Sequence, residues 1–343
     1  MTRPPALWLR ETEVTSLLDL PGAIGALERA LAIEAEGGVA HLEKTHAAFG
    51  DGDTLHALGA VLTDPTAPDD ALAGTKTWAH THGGATPLLL LWSAADGRLE
   101  AIVEAFALGQ LRTSGVSGVA TRLLADPHAD ELALVGSGKQ ALAQVAAVAG
   151  VRHLRRVRVF SPTPEHRARF AERAERELDI ATRATETVEE CTRDAPVITL
   201  ATRATRPFLG SAMVARGAHV NAIGAITPER AEVAPDLLAR VSLAVADAPG
   251  TARRLSSELS DASLALHRLC DVVAGRVVRP AAPDVTLFKA MGTGLADVAL
   301  GAAVLALARA RGLGRAIERP ERAAPRLLTD AVRASKPESG GGR

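Results

Sequence analysis

The sequence predicts an α/β protein in which an antiparallel sheet precedes a doubly wound parallel region, and three observations predict it. The first is a short apolar run, residues 132–135, that ends at Gly136 and is followed by Gly138, Ala141 and a helix-like segment to Gly150. A second apolar strand follows at 157–160. Strand, Gly-x-Gly-x-x-Ala, helix, strand is half of a dinucleotide-binding βαβ unit. Gly136 permits the tight turn, Gly138 lets backbone approach a pyrophosphate, and Ala141 lets the helix pack on the sheet. The helix N-terminus offers N–H groups and partial positive charge to phosphates. The second observation is alternation. Strands are expected at 132–135, 156–160, 197–201, 218–223 and 242–246, with helices at 139–149, 164–177 and 234–240. The third is the character of residues 39–118: short apolar runs broken by Gly50-Asp51-Gly52, Asp64-Pro65, Gly83-Gly84 and Asp96-Gly97. Residues 88–92 and 99–103, around Asp96-Gly97, read as a β-hairpin.

The remaining elements bracket these. Residues 11–38 alternate apolar and charged at helical spacing and stop at Gly37-Gly38. Residues 294–311 form one Ala/Leu/Val helix, and from about 316 the Arg, Pro, Ser and Gly content predicts a loose tail. A chain of 343 residues suggests two domains. With 47% hydrophobic residues and no Tyr, Ala, Val and Leu must pack the core. The lack of Tyr also excludes the Tyr-Lys chemistry of short-chain dehydrogenases. A formal charge of -1 implies no attraction to nucleic acid or anionic membrane. Cys191 and Cys270 make no metal-ligand cluster, and their scarcity fits a reducing cytoplasm. No signal-peptide pattern opens the sequence, and no stretch is long and apolar enough to span a bilayer. A cytoplasmic protein without metal, nucleic-acid or membrane partners is therefore expected.

Several motifs, in order, resemble the ornithine cyclodeaminase/μ-crystallin family of NAD(P)-dependent enzymes. They are Glu43-Lys44-Thr45, Gly74-Thr75-Lys76, and the hairpin running on to Leu111-Arg112-Thr113-Ser114. Gly136-Ser137-Gly138-Lys139-Gln140-Ala141 and Thr199-Leu200-Ala201-Thr202 follow. Gly217 to Gly224, then Thr286 to Gly292 with Asp297, complete the set. The resemblance covers about residues 8–315. It implies a Rossmann domain, 117–292, inserted into an α+β domain built from 1–116 together with 293–343. The latter would bind substrate and pair two copies into a homodimer.

The resemblance also implies roles. Arg112 would bind the carboxylate of an amino-acid-like substrate, as a planar two-pronged donor can. Lys44 would add a positive contact, and Lys76 would sit near the reacting carbon as a proton donor. Thr113, Gly136, Ser137, Gly138, Lys139 and Gln140 are candidate cofactor contacts, with Thr202 and Gly224 further on. Asp297 would face the nicotinamide or cap the last helix. One position departs from the family pattern. Ile226 stands where the cyclodeaminases carry the Asp taken as their acid/base group, and isoleucine moves no proton. Ornithine cyclisation is disfavoured, while Glu229, Arg230 and Glu232 lie nearby as loop or cap charges or as substitutes.

Three histidines are candidate substrate contacts. Along a continuing strand, Lys76, Trp78, His80 and His82 would share one face, and His56 is another pocket candidate. His-x-His spacing permits a metal, but no third ligand is evident. At the end of the second strand no acidic residue awaits a ribose hydroxyl; Ser161, Thr163 and Arg167 could take a 2′-phosphate instead. NADP(H) is therefore preferred, with NAD(H) as the alternative. The expected function is reduction of an imine or ketimine beside a carboxylate in a small amino-acid-like substrate. The alternatives are an amino-acid dehydrogenase, a deaminating cyclase, or a non-catalytic nucleotide-binding protein.

Overall fold

A computed structural model describes residues 4–260, 263–318, 322–325 and 327. Two eight-stranded sheets organise them. The parallel sheet runs in the order Thr182–Ala184, Arg156–Phe160, Glu131–Val135, Val197–Leu200, Ala218–Ala222, Val285–Lys289, Val241–Ala246, Leu266–Arg268. Every neighbouring pair in it is parallel. The five expected strands are present. Thr182–Ala184, Val285–Lys289 and Leu266–Arg268 are additions, and Val285–Lys289 is buried at every residue. Because the strands are parallel, the loops after their carboxyl ends form one rim, where ligands of such sheets bind.

The mixed sheet runs Arg315–Ile317, Ala6–Leu9, Leu99–Glu104, Leu88–Ser93, Leu72–Thr81, Asp53–Leu62, Val39–Phe49, with Gly84–Ala85 on the side of Leu72–Thr81. The expected hairpin is its centre. It is antiparallel except where Ala6–Leu9 lies parallel to Leu99–Glu104. The tail expected from about 316 lies mostly outside the described residues. Its first residues are ordered, because Arg315–Ile317 pairs with Ala6–Leu9.

Two helical expectations need correction. Residues 11–38 form two helices, Glu11–Leu17 and Leu20–Ala35. Asp19 starts the second by accepting the Gly22 N–H at 2.9 Å, with Pro21 in the first turn where its missing N–H costs least. Residues 106–118, expected within the antiparallel region, belong to the helix Phe106–Leu124. Its Gly, Ser, Thr and Val content argues against helix by propensity; packing overrides it. A side chain at Gly115 would come within 2.6 Å of Leu27, and one at Gly118 within 2.7 Å of Ile24, so the glycines let two helices close on each other.

The helix Gly294–Arg311 matches its expected span and is capped by the Thr293 hydroxyl, which accepts the Ala296 N–H. It presses directly on the mixed sheet: a Cβ at Gly294 would lie 2.2 Å from the Gly59 carbonyl, and one at Gly74 2.7 Å from Val298. That contact carries Asp297 to the strand bearing Lys76.

Candidate active site

A cavity of about 970 Å³ lies along the rim of the parallel sheet. Gly136, Ser137, Gly138, Lys139 and Gln140 line one end, with Ser161, Thr163 and His166 beside them. Ala201 to Arg206, Gly224, Ile226, Asp247, Met291 and Gly292 continue the wall, and Arg112 and Thr113 close the far end. The donor set fits a dinucleotide. Gly136 has φ +114°, and a Cβ there would sit 2.5 Å from the Ala201 carbonyl, so only glycine makes this turn. A Cβ at Gly138 would meet nothing within 4 Å, which leaves open space where a phosphate must approach backbone. The nine-residue helix Ala141–Ala149 points its N-terminus at that space.

At the other end three elements bring together one cluster. Lys76 comes from Leu72–Thr81, Arg112 from Phe106–Leu124 and Asp297 from Gly294–Arg311. Lys76 Nζ donates to Asp297 Oδ1 at 2.5 Å, and Arg112 Nε lies 3.7 Å from the same oxygen. Lys76 and Asp297 are both buried. Burial lowers the Lys76 pKa; Asp297 opposes that shift, while Arg112 and Lys44 add to it. The indole of Trp78 lies 5.4 Å from Lys76 Nζ, a cation–π contact that also favours the ammonium. The cluster is incomplete: Asp297 Oδ2 and Arg112 Nε are buried without a hydrogen bond. Buried polar atoms left open in this way call for a partner such as a ligand, a water or an ion.

A second cavity of about 310 Å³ adjoins the first, the two sharing Ile226, Asp247, Met291 and Gly292. Lys44 and Leu58 line it. Lys44 stands on the exposed strand Val39–Phe49, yet its ammonium is crowded against the cleft. That desolvation, with the charges of Arg112 and Arg230, lowers its pKa.

The loop carrying Ile226 is pinned from beneath. The fully buried Glu232 accepts the N–H and hydroxyl of Thr202, both at 2.7 Å, and the N–H groups of Gly224 and Ala225. Glu258 in turn accepts the N–H groups of Glu232 and Val233 and pairs with the buried Lys289. Glu232 is therefore a structural clamp. Glu229 is exposed and lines neither cavity, and a hydrogen bond from Thr227 lowers its pKa.

Other expected contacts move. Arg167 is buried, donates to the Ser161 carbonyl, pairs with Glu186 and lies over Phe160; it does not line the cavity and is not free for a phosphate. Asp297 lines neither cavity and is not the cap, which is Thr293; its partner is Lys76. His56 stacks on Trp78 at 4.7 Å and on His46 at 5.7 Å, and burial lowers its pKa. His80 shares the strand with Lys76 but is exposed and lines neither cavity. His82 lies past the strand end, solvent-exposed beside Asp53, and lines neither cavity. Asp247 was not singled out by sequence. The available signal was its place just after an expected strand, where parallel sheets put ligand-facing residues.

Among the described residues no group of three or more His, Cys, Asp or Glu could hold a metal ion, and no helix is long and apolar enough to cross a membrane.

Comparison with known proteins fits this geometry. The sequence profile of the Ornithine cyclodeaminase/mu-crystallin family matches residues 6–311, so the chain belongs to that family. It is 29% identical to the ketimine reductase mu-crystallin of Mus musculus over 211 residues, 61% of this chain and 66% of that protein. That match thus spans just under two thirds of the mouse protein. It is 26% identical to a Delta(1)-pyrroline-2-carboxylate reductase of Bacillus cereus over 273 residues, 77% of this chain and 81% of the relative. The crystal structure of the iminosuccinate reductase of Paracoccus denitrificans in complex with NAD+ matches with a TM-score of 0.84 at 26% identity, covering 92% of this chain and 100% of that one.

Proposed function

We propose that this member of the ornithine cyclodeaminase/mu-crystallin family is an NADP(H)-dependent reductase of a small imino acid, acting on a C=N bond beside a carboxylate. The observation that carries this reading is the buried, incompletely bonded Lys76–Asp297–Arg112 cluster beside a cavity shaped for a dinucleotide. Nicotinamide, when bound, supplies the hydride. Arg112 and Lys44 hold the substrate carboxylate, and the guanidinium fork fixes its orientation. Lys76 delivers the proton to the imine nitrogen: burial makes its ammonium more acidic, and Asp297 keeps it charged and aimed. Ile226 gives an apolar wall between the two cavities, which is compatible with reduction and offers nothing to ornithine cyclisation.

The preference for NADP(H) over NAD(H) is supported by the lack of an acidic residue directly after Arg156–Phe160 and by Ser161, Thr163 and His166 in the cavity wall. His166 takes the place first expected of Arg167. We read residues 117–292 as the nucleotide part and 1–116 with 293–343 as the substrate part of a cytoplasmic homodimer. The long outer strand Val39–Phe49 supports the pairing: its edge is unpaired in the sheet order, and Leu42, Phe49 and the adjacent Leu55 are exposed. Phe49→Glu combined with Leu55→Glu should convert the dimer to a monomer in analytical ultracentrifugation; an unchanged sedimentation coefficient would remove this edge as the interface.

The direct experiment measures NADPH and NADH oxidation with a panel of cyclic imino acids and of α-keto acids plus amines. Turnover on a carboxylate-bearing imine, lost in Lys76→Ala, is the expected result. Tight nucleotide binding without turnover on any of them would favour a binding role.

A further inference from the structure

Asp247 is the acidic side chain that the two cavities share, and the only acidic one lining the larger cavity among the described residues. It follows the strand Val241–Ala246 on the ligand-facing rim. Its two oxygens are committed: Oδ1 accepts the Met291 N–H at 2.7 Å and Oδ2 the Gly292 N–H at 2.8 Å. The turn it grips supports Arg112. Gly292 has φ +83°, and a Cβ there would stand 2.3 Å from Arg112 Nη1, so the guanidinium rests on bare backbone. Little else locates that guanidinium. Its Nε has no hydrogen bond, and the nearest carboxylate oxygen, on Asp297, is 3.7 Å away.

We propose that Asp247 is a positioning residue for substrate recognition: by clamping the N–H groups of Met291 and Gly292 it fixes the surface on which Arg112 rests, and so sets how Arg112 meets the substrate carboxylate. The inference depends on the reading of Arg112 as the carboxylate-binding group. It also accounts for a carboxylate at this junction without making it the successor of the Asp missing at Ile226. Both its oxygens already face backbone donors, an arrangement suited to holding a turn. Burial nonetheless raises its pKa, so the acid/base alternative is tested by the same variants.

The experiment uses the full-length protein with NADPH. Asp247→Asn keeps the shape but replaces one acceptor oxygen by a donor. KM and kcat are measured for an imino acid and for the matching cyclic imine without a carboxylate, with NADPH Kd followed separately. The expected result is a KM for the imino acid raised about ten- to a hundredfold, since a small misplacement of a binding group has effects of that size. The carboxylate-free imine should show no such rise; because Asp247 also lines the nucleotide cavity, any change in NADPH Kd should affect both substrates alike and leave their KM ratio as the readout. Gly292→Ala disturbs the same support from the other side, since its Cβ meets Arg112 and its φ strains the turn that Asp247 holds, and it should give the same selective rise. Equal losses on both substrates, or a fall in kcat with KM unchanged, would each overturn the proposal. If the wild type shows no turnover, calorimetric binding of L-proline to the NADP+-loaded protein gives the readout, and Asp247→Asn should weaken it. A wild type that neither turns over nor binds such a carboxylate refutes the reading of Arg112 itself, and this inference with it.

Discussion

Two buried polar clusters share the helix Phe106–Leu124, one reaching it at Arg112 and the other at Thr121, and they are finished to different degrees. Beneath the parallel sheet, His219 Nδ1 lies 3.0 Å from Thr286 Oγ1 and its Nε2 3.1 Å from Asn221 Oδ1. Asn221 donates to Thr121 Oγ1 at 2.9 Å, and Thr286 to the Leu124 carbonyl at 3.0 Å. Both ring nitrogens of that histidine lie within hydrogen-bond distance of protein oxygens. At Lys76 the opposite holds: Asp297 Oδ2 and Arg112 Nε are equally buried and have no hydrogen bond. Burial alone therefore does not mark a functional group. A closed network fixes structure, whereas an open one keeps capacity for a ligand.

The largest effect should come from breaking the open cluster. Lys76→Ala removes the proposed proton donor and leaves Asp297 buried without its closest cation. Turnover should fall by about 10²–10⁴-fold, the usual contribution of a positioned proton donor. NADPH binding should persist, because Lys76 does not line the nucleotide cavity. Single-turnover rates and fluorescence titration separate the two. Retention of most of the rate would move the proton donor elsewhere. Lys76→Met should lose activity similarly but fold better, since it fills the space without a charge.

The closed cluster should answer to pH instead. Burial depresses the His219 pKa from 6.5 to about 3. The unfolded chain therefore takes up a proton near pH 6.5 that the folded chain refuses until about pH 3. The stability tied to this neutral ring is complete above the unfolded value and is lost as pH falls toward the folded one. Between pH 7 and 5 the loss from this group should be roughly 2 kcal/mol. Urea unfolding at the two pH values, in the wild type and in His219→Gln, measures it. Equal pH slopes in both proteins would show that His219 is not held neutral.

How much of this was readable in the sequence follows from the range of the interactions. The βα turn at Gly136 and the helix Gly294–Arg311 were legible because periodicity and glycine spacing act over a few residues. The helix Phe106–Leu124 was not, because the glycines that make it possible do so by packing on Leu27 and Ile24. Lys76 and Arg112 were singled out through motif order. Their joining by Asp297 depends on a partner 221 positions away from Lys76, brought in by the close approach of Gly294 to Gly59. Asp247 carries no motif of its own; only the fold shows that it grips the turn under Arg112.

The smallest expected effect concerns Arg167, where sequence and structure disagree most directly. By sequence its charge stood ready for a 2′-phosphate. In the fold its guanidinium bonds the Ser161 carbonyl and Glu186, so it belongs with the closed kind of cluster. Arg167→Lys keeps a positive charge but cannot repeat both contacts. If Arg167 read the phosphate, the change would raise NADPH Kd while leaving NADH Kd alone. Supporting the strand end instead, it should weaken both nucleotides alike, by no more than about threefold, since a surface-flanking ion pair contributes about 0–1 kcal/mol. His166→Ala supplies the contrast, because His166 lines the cavity: it should weaken NADPH more than NADH. A selective loss in Arg167→Lys with none in His166→Ala would reverse the assignment.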